Sequence, residues 1–301
     1  MEKPLLLHMI TPGKNVSPFD VNMAYDAGWD ALIPYTGVET SEVTSLVQDA
    51  IFSRGPKGVR RTGMFIGGRD TGVAMDMLEA ARDAMVPPFE ISVFADPSGA
   101  FTTSAALVAT VEKQLRTHHS VELQGQRALV FGGTGPVGIA TSVLAARVGA
   151  HVTIVSHSGH GPAAEAAHVC STRYGVQAEA ADGSSDALKV ELMKRADVIF
   201  GAAAAGVQIL TLEQLRSSHD LKLVGDLNAV PPLGVEGVEL FHNGDPLAGL
   251  EQVRGVGALA VGNVKYHVQQ ALFRLMVESD KPLFLDFQDA FEVARSHVAD
   301  S

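Results

Sequence analysis

The feature that most constrains the fold is residues 127–138, RALVFGGTGPVG, where a short apolar run leads into a glycine-rich turn. Gly133, Gly135 and Gly138 match G-x-G-x-x-G between a predicted strand and a predicted helix. We expect the first glycine to allow a tight turn, the second to let backbone approach a pyrophosphate, and the third to let helix and strand pack closely. The helix N-terminus offers N–H groups to the phosphates. The sequence therefore predicts a dinucleotide site, and a glycine turn that binds nothing is the alternative.

Strands and helices alternate on both sides of this turn, which predicts an α/β protein of two domains. After it, HVTIVSH, VQAEAA, DVIFGAA and LKLVGDL are strand candidates in a doubly wound, Rossmann-type sheet. Before it, LLLHMI, GMFIGG and FEISVFA alternate with helical segments, and a long helix from AFTTS ends in the polar stretch HHSVELQGQ. We therefore predict a dinucleotide-binding domain at 121–262. The substrate domain is predicted at 1–120, and the C-terminal helices at 263–301 are expected to pack onto it.

Composition limits the partners of this chain. With 301 residues and a net charge of -11, the protein lacks the basic surface that nucleic acid or an anionic membrane would require. The single cysteine, Cys170, cannot form an internal disulfide and reads as a buried small apolar residue, which fits a reducing cytoplasm. The N-terminal apolar run is too short to span a bilayer. We expect a small-molecule ligand, and no candidate acid has the spacing to His or Cys that a metal site needs.

The end of the strand HVTIV bears on which nucleotide is bound. NAD sites commonly place an Asp or Glu there, whereas this chain has Ser156, His157 and Ser158. Without a carboxylate in this segment a 2'-phosphate is not repelled, and without Arg or Lys it is not strongly attracted. We therefore predict use of either NAD or NADP, the alternative being that these residues are merely solvated. The predicted cofactor contacts are Gly133, Thr134, Gly135, Pro136, Val137, Gly138, Ser156, His157, Ser158 and Asn228.

Seven segments in order along the chain resemble the methylene-tetrahydromethanopterin dehydrogenases of methylotrophic bacteria. They are SPFDVNMAYDAG, IFSRG, MFIGGRD, GAFTTSAA, GGTGPVG, GDLNAVPPLGVEG and GVGALAVGNVK. The resemblance implies oxidation of the N5,N10-methylene bridge of a tetrahydropterin to the methenyl form with NAD(P)+. It also implies a pterin-binding N-terminal domain, and a homo-oligomer that is a trimer or a multiple of one.

The resemblance assigns catalytic roles to Phe19, Thr103 and Lys265. A family histidine four residues after this lysine is replaced by Gln269, while His267 falls on a different helix face. The predicted substrate contacts are Phe19, Asp20, Asp96, Thr102, Thr103, Lys265 and Gln269.

Each of these residues also has a structural explanation. Phe19 suits a core position, the Thr102–Thr103 pair suits a helix cap, and Lys265 in AVGNVKYHV suits an apolar stem with a solvated ammonium group. Asp226 and Asn228 follow a strand at the edge where such sheets bind ligands, but they also suit a turn.

Two rival functions remain on sequence grounds. A methylene-tetrahydrofolate dehydrogenase would act on the same reacting portion of a different carrier. A non-enzymatic NADP-sensing protein would share the glycine turn, although such proteins carry it at the N-terminus.

Overall fold

A computed structural model describes residues 3–300 and divides the chain into two compact units. Unit 1 comprises the residues up to Thr102 together with Tyr266–Val293, and unit 2 comprises Thr103–Lys265 together with the residues from Ala294. Each boundary falls within a continuous helix, and the first lies earlier than the polar stretch after residue 119 where the sequence placed it.

Twelve strands and eleven α-helices are distributed over the described residues. The strands are β1 (Leu6–Thr11), β2 (Ala31–Thr36), β3 (Thr62–Ile66), β4 (Ser92–Ala95), β5 (Arg127–Phe131), β6 (His151–Ser156), β7 (Glu179–Asp182), β8 (Val198–Gly201), β9 (Leu223–Asp226), β10 (Asn243–Leu247), β11 (Leu250–Val256) and β12 (Phe284–Leu285). The helices are α1 (Pro18–Asp26), α2 (Val43–Phe52), α3 (Gly55–Val59), α4 (Thr71–Asp83), α5 (Ala100–His119), α6 (Pro136–Arg147), α7 (His160–Tyr174), α8 (Asp186–Met193), α9 (Leu212–Leu215), α10 (Ala258–Glu278) and α11 (Phe287–Asp300).

Unit 1 contains a five-stranded parallel sheet in the order β12-β4-β3-β1-β2. Strands β3 and β4 are buried along their whole length, as expected for central strands covered on both faces. The rings of Phe65, Phe94 and Phe273 pack with centroids 5.2–5.4 Å apart, and Trp29 Nε1 donates to the Phe273 carbonyl at 3.3 Å. Helix α10 therefore contributes Phe273 to the core of unit 1.

Unit 2 contains a seven-stranded sheet in the order β10-β11-β9-β8-β5-β6-β7. The chain runs outward from β5 through β6 to β7 and then returns to the other side of β5 with β8. Ligands of doubly wound sheets bind outside the carboxyl ends of the strands at such a reversal. The glycine-rich turn follows β5 and therefore lies at the switch point.

Helix boundaries follow from local sequence. The Asp70 carboxylate accepts from Val73 N at 2.9 Å and caps α4, while Ser185 and Thr211 cap α8 and α9. Helix α7 ends at Gly175, whose φ of 68° is in the left-handed region that glycine favours.

Four strands were not predicted from the sequence. β2 contains Pro34 and β10 contains Pro246, and both lie at sheet edges, where a missing N–H is tolerated. β11 pairs antiparallel with β10, so the second sheet is mixed at this edge. β12 has only two residues.

The lone cysteine is structural, as predicted. Cys170 is fully buried, and burial raises the pKa of its thiol to about 11. Between residues 3 and 300, no helix combines the length and the apolar character needed to cross a membrane.

Candidate active site

The glycine-rich segment forms a tight loop between β5 and α6. Gly135 is the N-cap residue of α6, its N–H donates to the Gly132 carbonyl at 3.1 Å, and Pro136 occupies the first helical turn. Pro has no N–H to leave unpaired there, so it suits this position. The predicted context of strand, turn and helix is confirmed.

The tight turn depends on a glycine outside the predicted pattern. Gly132 has a φ of 71°, and a Cβ there would lie 2.5 Å from Ala203 N. Gly133, which the sequence assigned to the turn, is not among the glycines with positive φ. Gly132 therefore takes the strained conformation, and Gly133 is needed for space, because its Cβ would lie 2.8 Å from Ile154 Cγ2.

The remaining two glycines differ in the space that surrounds them. A Cβ on Gly138 would lie 2.3 Å from the Gly132 carbonyl oxygen, so only glycine lets α6 approach the loop this closely. A Cβ on Gly135 would meet only that same oxygen, at 3.6 Å, among the described atoms compared. The loop is therefore filled on its protein side and open at Gly135, the position where the sequence predicts approach to a pyrophosphate.

The polar residues after β6 differ in what they offer a ligand. Ser156 is buried, and its hydroxyl accepts from Ser158 N at 3.1 Å, so this side chain stabilises its own turn. His157 and Ser158 are exposed and remain accessible.

A carboxylate that sequence analysis missed lies beside this turn. Asp182 ends β7 and is in register with Ser156 at the end of β6. Its Oδ1 accepts from Ser184 N at 2.8 Å, and its Oδ2 lies 4.0 Å from where a Cβ of Gly159 would be. Hydrogen bonds from the Ser184 hydroxyl and N–H lower the pKa of Asp182. The sequence does show an acid at the end of a predicted strand. It does not reveal that this strand, β7, lies beside β6 in the sheet.

Asn228 connects two loops at the carboxyl ends of β8 and β9. Its Oδ1 accepts from Gly206 N and Val230 N, each at 3.0 Å, and its Nδ2 donates to the Pro232 carbonyl at 2.7 Å. All its polar atoms are used within the protein. Asn228 therefore holds the loops in place, which agrees with the structural explanation that this residue forms a turn.

Asp226, the last residue of β9, also stabilises this loop through backbone hydrogen bonds. Its Oδ2 accepts from Val235 N at 2.9 Å, and its Oδ1 lies 3.3 Å from Asn228 N. Burial raises the pKa of this carboxyl to about 6, although the backbone N–H groups oppose the shift. A Cβ on Gly201 or Gly234 would lie 2.6 Å from Asp226 oxygens, so both glycines make room for it.

In unit 1, two predicted substrate residues form a buried pair. Gln269 Nε2 donates to Asp20 Oδ1 at 2.8 Å, and both side chains are almost wholly inaccessible. Gln269 Oε1 is buried and has no hydrogen-bond partner among the described residues. Unpartnered buried acceptors are rare, so this oxygen is a candidate for binding a donor group.

Asp96 and Thr102 form a second buried pair with a structural role. Asp96 Oδ2 accepts from the Thr102 hydroxyl at 2.6 Å, and Oδ1 accepts from Phe101 N and Thr102 N. The carboxylate thus satisfies N–H groups at the start of α5.

The other predicted residues are more accessible. Phe19 is 43% exposed at the start of α1, so it is not a core residue. Thr103 and Lys265 are half-buried, and His267 is exposed beside the Tyr266 ring. Within residues 3–300, no three His, Cys, Asp or Glu side chains cluster in a way that could hold a metal ion.

Comparisons with known proteins agree along nearly the whole chain. Residues 18–98 match the family model for methylene-tetrahydromethanopterin dehydrogenase, N-terminal. An NAD(P)-dependent methylenetetrahydromethanopterin dehydrogenase of Methylorubrum extorquens AM1 is 47% identical over 96% of this chain and 97% of its own length. The bifunctional protein MdtA of the same organism is 32% identical over 98% of this chain and 99% of its own.

A solved structure supports the fold alone. The NAD-dependent malic enzyme of Thermotoga maritima matches with a TM-score of 0.56 and 14% identity, over 96% of this chain and 84% of that one. Near-complete coverage at 47% identity, together with the glycine loop at the switch point, shows that this chain belongs to the NAD(P)-dependent methylenetetrahydromethanopterin dehydrogenase family.

Proposed function

We propose that this protein oxidises the methylene bridge of N5,N10-methylene-tetrahydromethanopterin to the methenyl form, with NAD or NADP as the acceptor, in one-carbon (formaldehyde) oxidation. The observation that carries the proposal is the relative of this name, which is 47% identical over 96% of the chain. The loop at Gly132–Gly138 supports it, because a glycine-rich loop between a strand and a helix at the switch point is typical of dinucleotide sites.

The nucleotide is assigned to unit 2. The backbone at Gly133–Gly138 holds the pyrophosphate, and the exposed His157 and Ser158 lie where the adenosine ribose is expected. Ser156 and Asn228 act indirectly, by holding the loops around the site. When bound, NAD(P)+ supplies the acceptor for the hydride that leaves the methylene carbon.

The pterin is assigned to unit 1. The exposed ring of Phe19 stacks on the flat heterocycle, next in sequence to the buried Asp20. A reduced pterin carries several N–H donors, and Gln269 Oε1 is an unpartnered acceptor that such a donor could reach once the side chains that bury it move. The Asp20–Gln269 hydrogen bond holds this amide in position. Asp96 and Thr102 hold the start of α5, the helix that also carries the half-buried Thr103.

The reaction requires no proton transfer in the chemical step. The two nitrogens that flank the methylene carbon share the positive charge left on it, so a general base is unnecessary. The protein must instead hold donor and acceptor carbons about 3 to 3.5 Å apart in a fixed geometry and exclude water. The roles that the family resemblance assigns to Phe19, Thr103 and Lys265 are therefore proposed as positioning roles, without proton transfer.

The decisive test is reduction of nicotinamide, followed by absorbance, with methylene-tetrahydromethanopterin and methylene-tetrahydrofolate, each with NAD+ and NADP+. We expect turnover with the methanopterin carrier to exceed that with folate. Exclusive use of folate would replace the proposed carrier. Absence of turnover with every pair would remove the enzymatic assignment.

Lys265 is expected to serve catalysis rather than folding. It is half-buried rather than enclosed, so its removal leaves no cavity in a core. Lys265→Ala should lower kcat at least about tenfold, with an unchanged melting temperature. The exposed Lys281 provides a matched control, because Lys281→Ala should leave both quantities unchanged. Wild-type turnover in Lys265→Ala would remove this residue from the proposed machinery.

The family resemblance also favours a cytoplasmic homo-oligomer, a trimer or a multiple of one. Light scattering of the purified protein measures the assembly directly. A monomer at working concentration would contradict this part of the proposal.

A further inference from the structure

The carboxyl ends of β5, β6 and β7 lie side by side in unit 2. Phe131 pairs with Val155, and Ser156 pairs with Asp182, so the three strands end at nearly the same level. A dinucleotide whose pyrophosphate lies on the loop after β5 extends its adenosine over the end of β6. The next strand end in that direction is Asp182.

The backbone brings the Asp182 carboxylate close to the turn after β6. Gly183 N donates to the Ser156 carbonyl at 2.8 Å, and a Cβ on Gly183 would lie 2.5 Å from Val155 Cγ1. The chain therefore passes tightly against β6 immediately after Asp182. Its Oδ2 faces the turn at Gly159, a position with no side chain and a φ of 99°.

No Lys or Arg lies in the turns that flank this carboxylate, although the imidazole of the exposed His160 is close enough to lower the pKa of Asp182 electrostatically. Residues 156–161 and 182–186 contain no Lys or Arg, and the second acid of these segments, Asp186, is already paired with Lys189 at 3.8 Å. Among residues 3–300, Asp182 forms no ion pair with a Lys or Arg side chain, and its Ser184 hydrogen bonds favour the ionised form. A 2'-phosphate on the adenosine ribose would therefore approach a carboxylate that has no Lys or Arg partner among the described residues.

We infer that Asp182 is a specificity-determining residue that disfavours the 2'-phosphate of NADP and so favours NAD. This inference rests on the nucleotide site proposed above, and it supplies the charged group that is absent from Ser156, His157 and Ser158 themselves. Discrimination by like-charge repulsion leaves binding of the unphosphorylated nucleotide nearly unchanged. The effect is limited because water screens the carboxylate, so NADP is disfavoured without being excluded.

The test separates the 2'-phosphate from the rest of the cofactor. Calorimetric titration measures the Kd of adenosine 2',5'-bisphosphate and of AMP, which differ in this one group, for wild type and Asp182→Asn. Asn keeps the size of the side chain and the acceptor for Ser184 N. We expect Asp182→Asn to tighten bisphosphate binding about three- to tenfold, with a smaller change for AMP. The ratio of kcat/KM for NADP to that for NAD should rise by the same factor.

Two controls make the result specific. Asp220→Asn removes an equal charge at the opposite edge of the same sheet and should leave the ratio unchanged. Asp182→Ser provides a second neutral variant, so the outcome does not depend on the folding of one substitution. In wild type, raising NaCl from about 0.05 to about 0.5 M should narrow the difference between the two ligands.

An unchanged ratio in both folded Asp182 variants would overturn the inference and leave the nucleotide site intact. Bisphosphate binding that weakens with salt more steeply than AMP binding in wild type would also overturn it, because that indicates net attraction of the 2'-phosphate by basic groups. If wild type binds neither ligand nor NAD, the nucleotide site itself is wrong, and the inference falls with it.

Discussion

Acidic residues at the two ends of the strands of the seven-stranded sheet have different partners. We call the side where the parallel strands begin the amino edge and the side where they end the carboxyl edge. At the amino edge, Asp197 accepts from Arg127 Nε at 2.7 Å and from Lys222 Nζ at 2.8 Å, and Arg127 also pairs with Asp220. At the carboxyl edge, Asp226 and Asp182 accept only from backbone and serine groups, with no Lys or Arg ion pair within residues 3–300.

The pKa values of the two buried carboxyls follow from this difference. Burial opposes ionisation of Asp197, but hydrogen bonds from Arg127 and Lys222 outweigh it and hold the pKa below its usual range. Burial of Asp226 is not offset in this way, and its pKa rises to about 6. The carboxylates at the amino edge thus form ion pairs that stabilise the fold, whereas those at the carboxyl edge have no Lys or Arg partner among the described residues, and perturbed carboxyls of that kind are common where ligands bind.

The largest expected effect comes from closing the glycine loop. In Gly138→Ala the new Cβ would lie 2.3 Å from the Gly132 carbonyl oxygen and 2.5 Å from Gly133 Cα, and neither backbone atom can move without distorting the loop. We expect NAD affinity to fall about tenfold to a hundredfold, measured by calorimetry. Gly161→Ala is the matched control, because a Cβ there meets nothing within 4 Å. Equal losses in both variants would mean that the loop is not shape-selective.

The next effect concerns stability against pH. Because the pKa of Asp226 is raised to about 6 in the folded protein, the native state holds this proton more tightly than the unfolded chain, where the pKa is about 3.9. Its contribution to the free energy of unfolding therefore falls by about 3 kcal/mol as pH rises from about 4 to about 6, and is constant above that. Urea denaturation across this window should show the decline in wild type and a flatter profile in Asp226→Asn. Parallel profiles would contradict the assignment.

The third effect tests the amino edge. Asp197→Asn removes the charge that both Arg127 and Lys222 share, and we expect a loss of about 2 kcal/mol at neutral pH. This is less than for a fully buried pair, since the Arg127 side chain is 41% exposed. The carboxyl group contributes above its unfolded pKa, so the loss should persist throughout the neutral range. Nucleotide affinity should not change, and a large change would mean that the two edges are not separate in function.

The smallest effect belongs to the exposed member of that cluster. Asp220→Asn removes an ion pair with Arg127 in which both partners are exposed to solvent. The free energy of unfolding should fall by less than about 1 kcal/mol, and by less still in high salt. A loss as large as that of Asp197→Asn would show that the cluster acts as one unit.

Most elements that surround the site were predictable from local pattern. The apolar runs at LLLHMI, GMFIGG, RALVFGG, HVTIVSH and LKLVGDL all contain strands, because buried parallel strands read as continuous apolar stretches. The strands that were missed lie at edges or are very short, where burial on one side leaves a weaker pattern. Two of them also contain a proline, Pro34 or Pro246, which is uncommon within strands and so weakens the strand pattern.

The sequence by itself determined the α/β class, the strand–turn–helix context of Gly133–Gly138, the burial of Cys170 and the family resemblance. Each of these depends on residues close together in the chain, or on segments compared in order. The tertiary structure decided that Gly132 takes the left-handed turn, that Asp96 and Thr102 are used within unit 1, and that Gln269 contacts Asp20. It also brought Asp182 beside Ser156, because the order of strands in a sheet depends on how crossovers pack, and distant residues then meet at one edge.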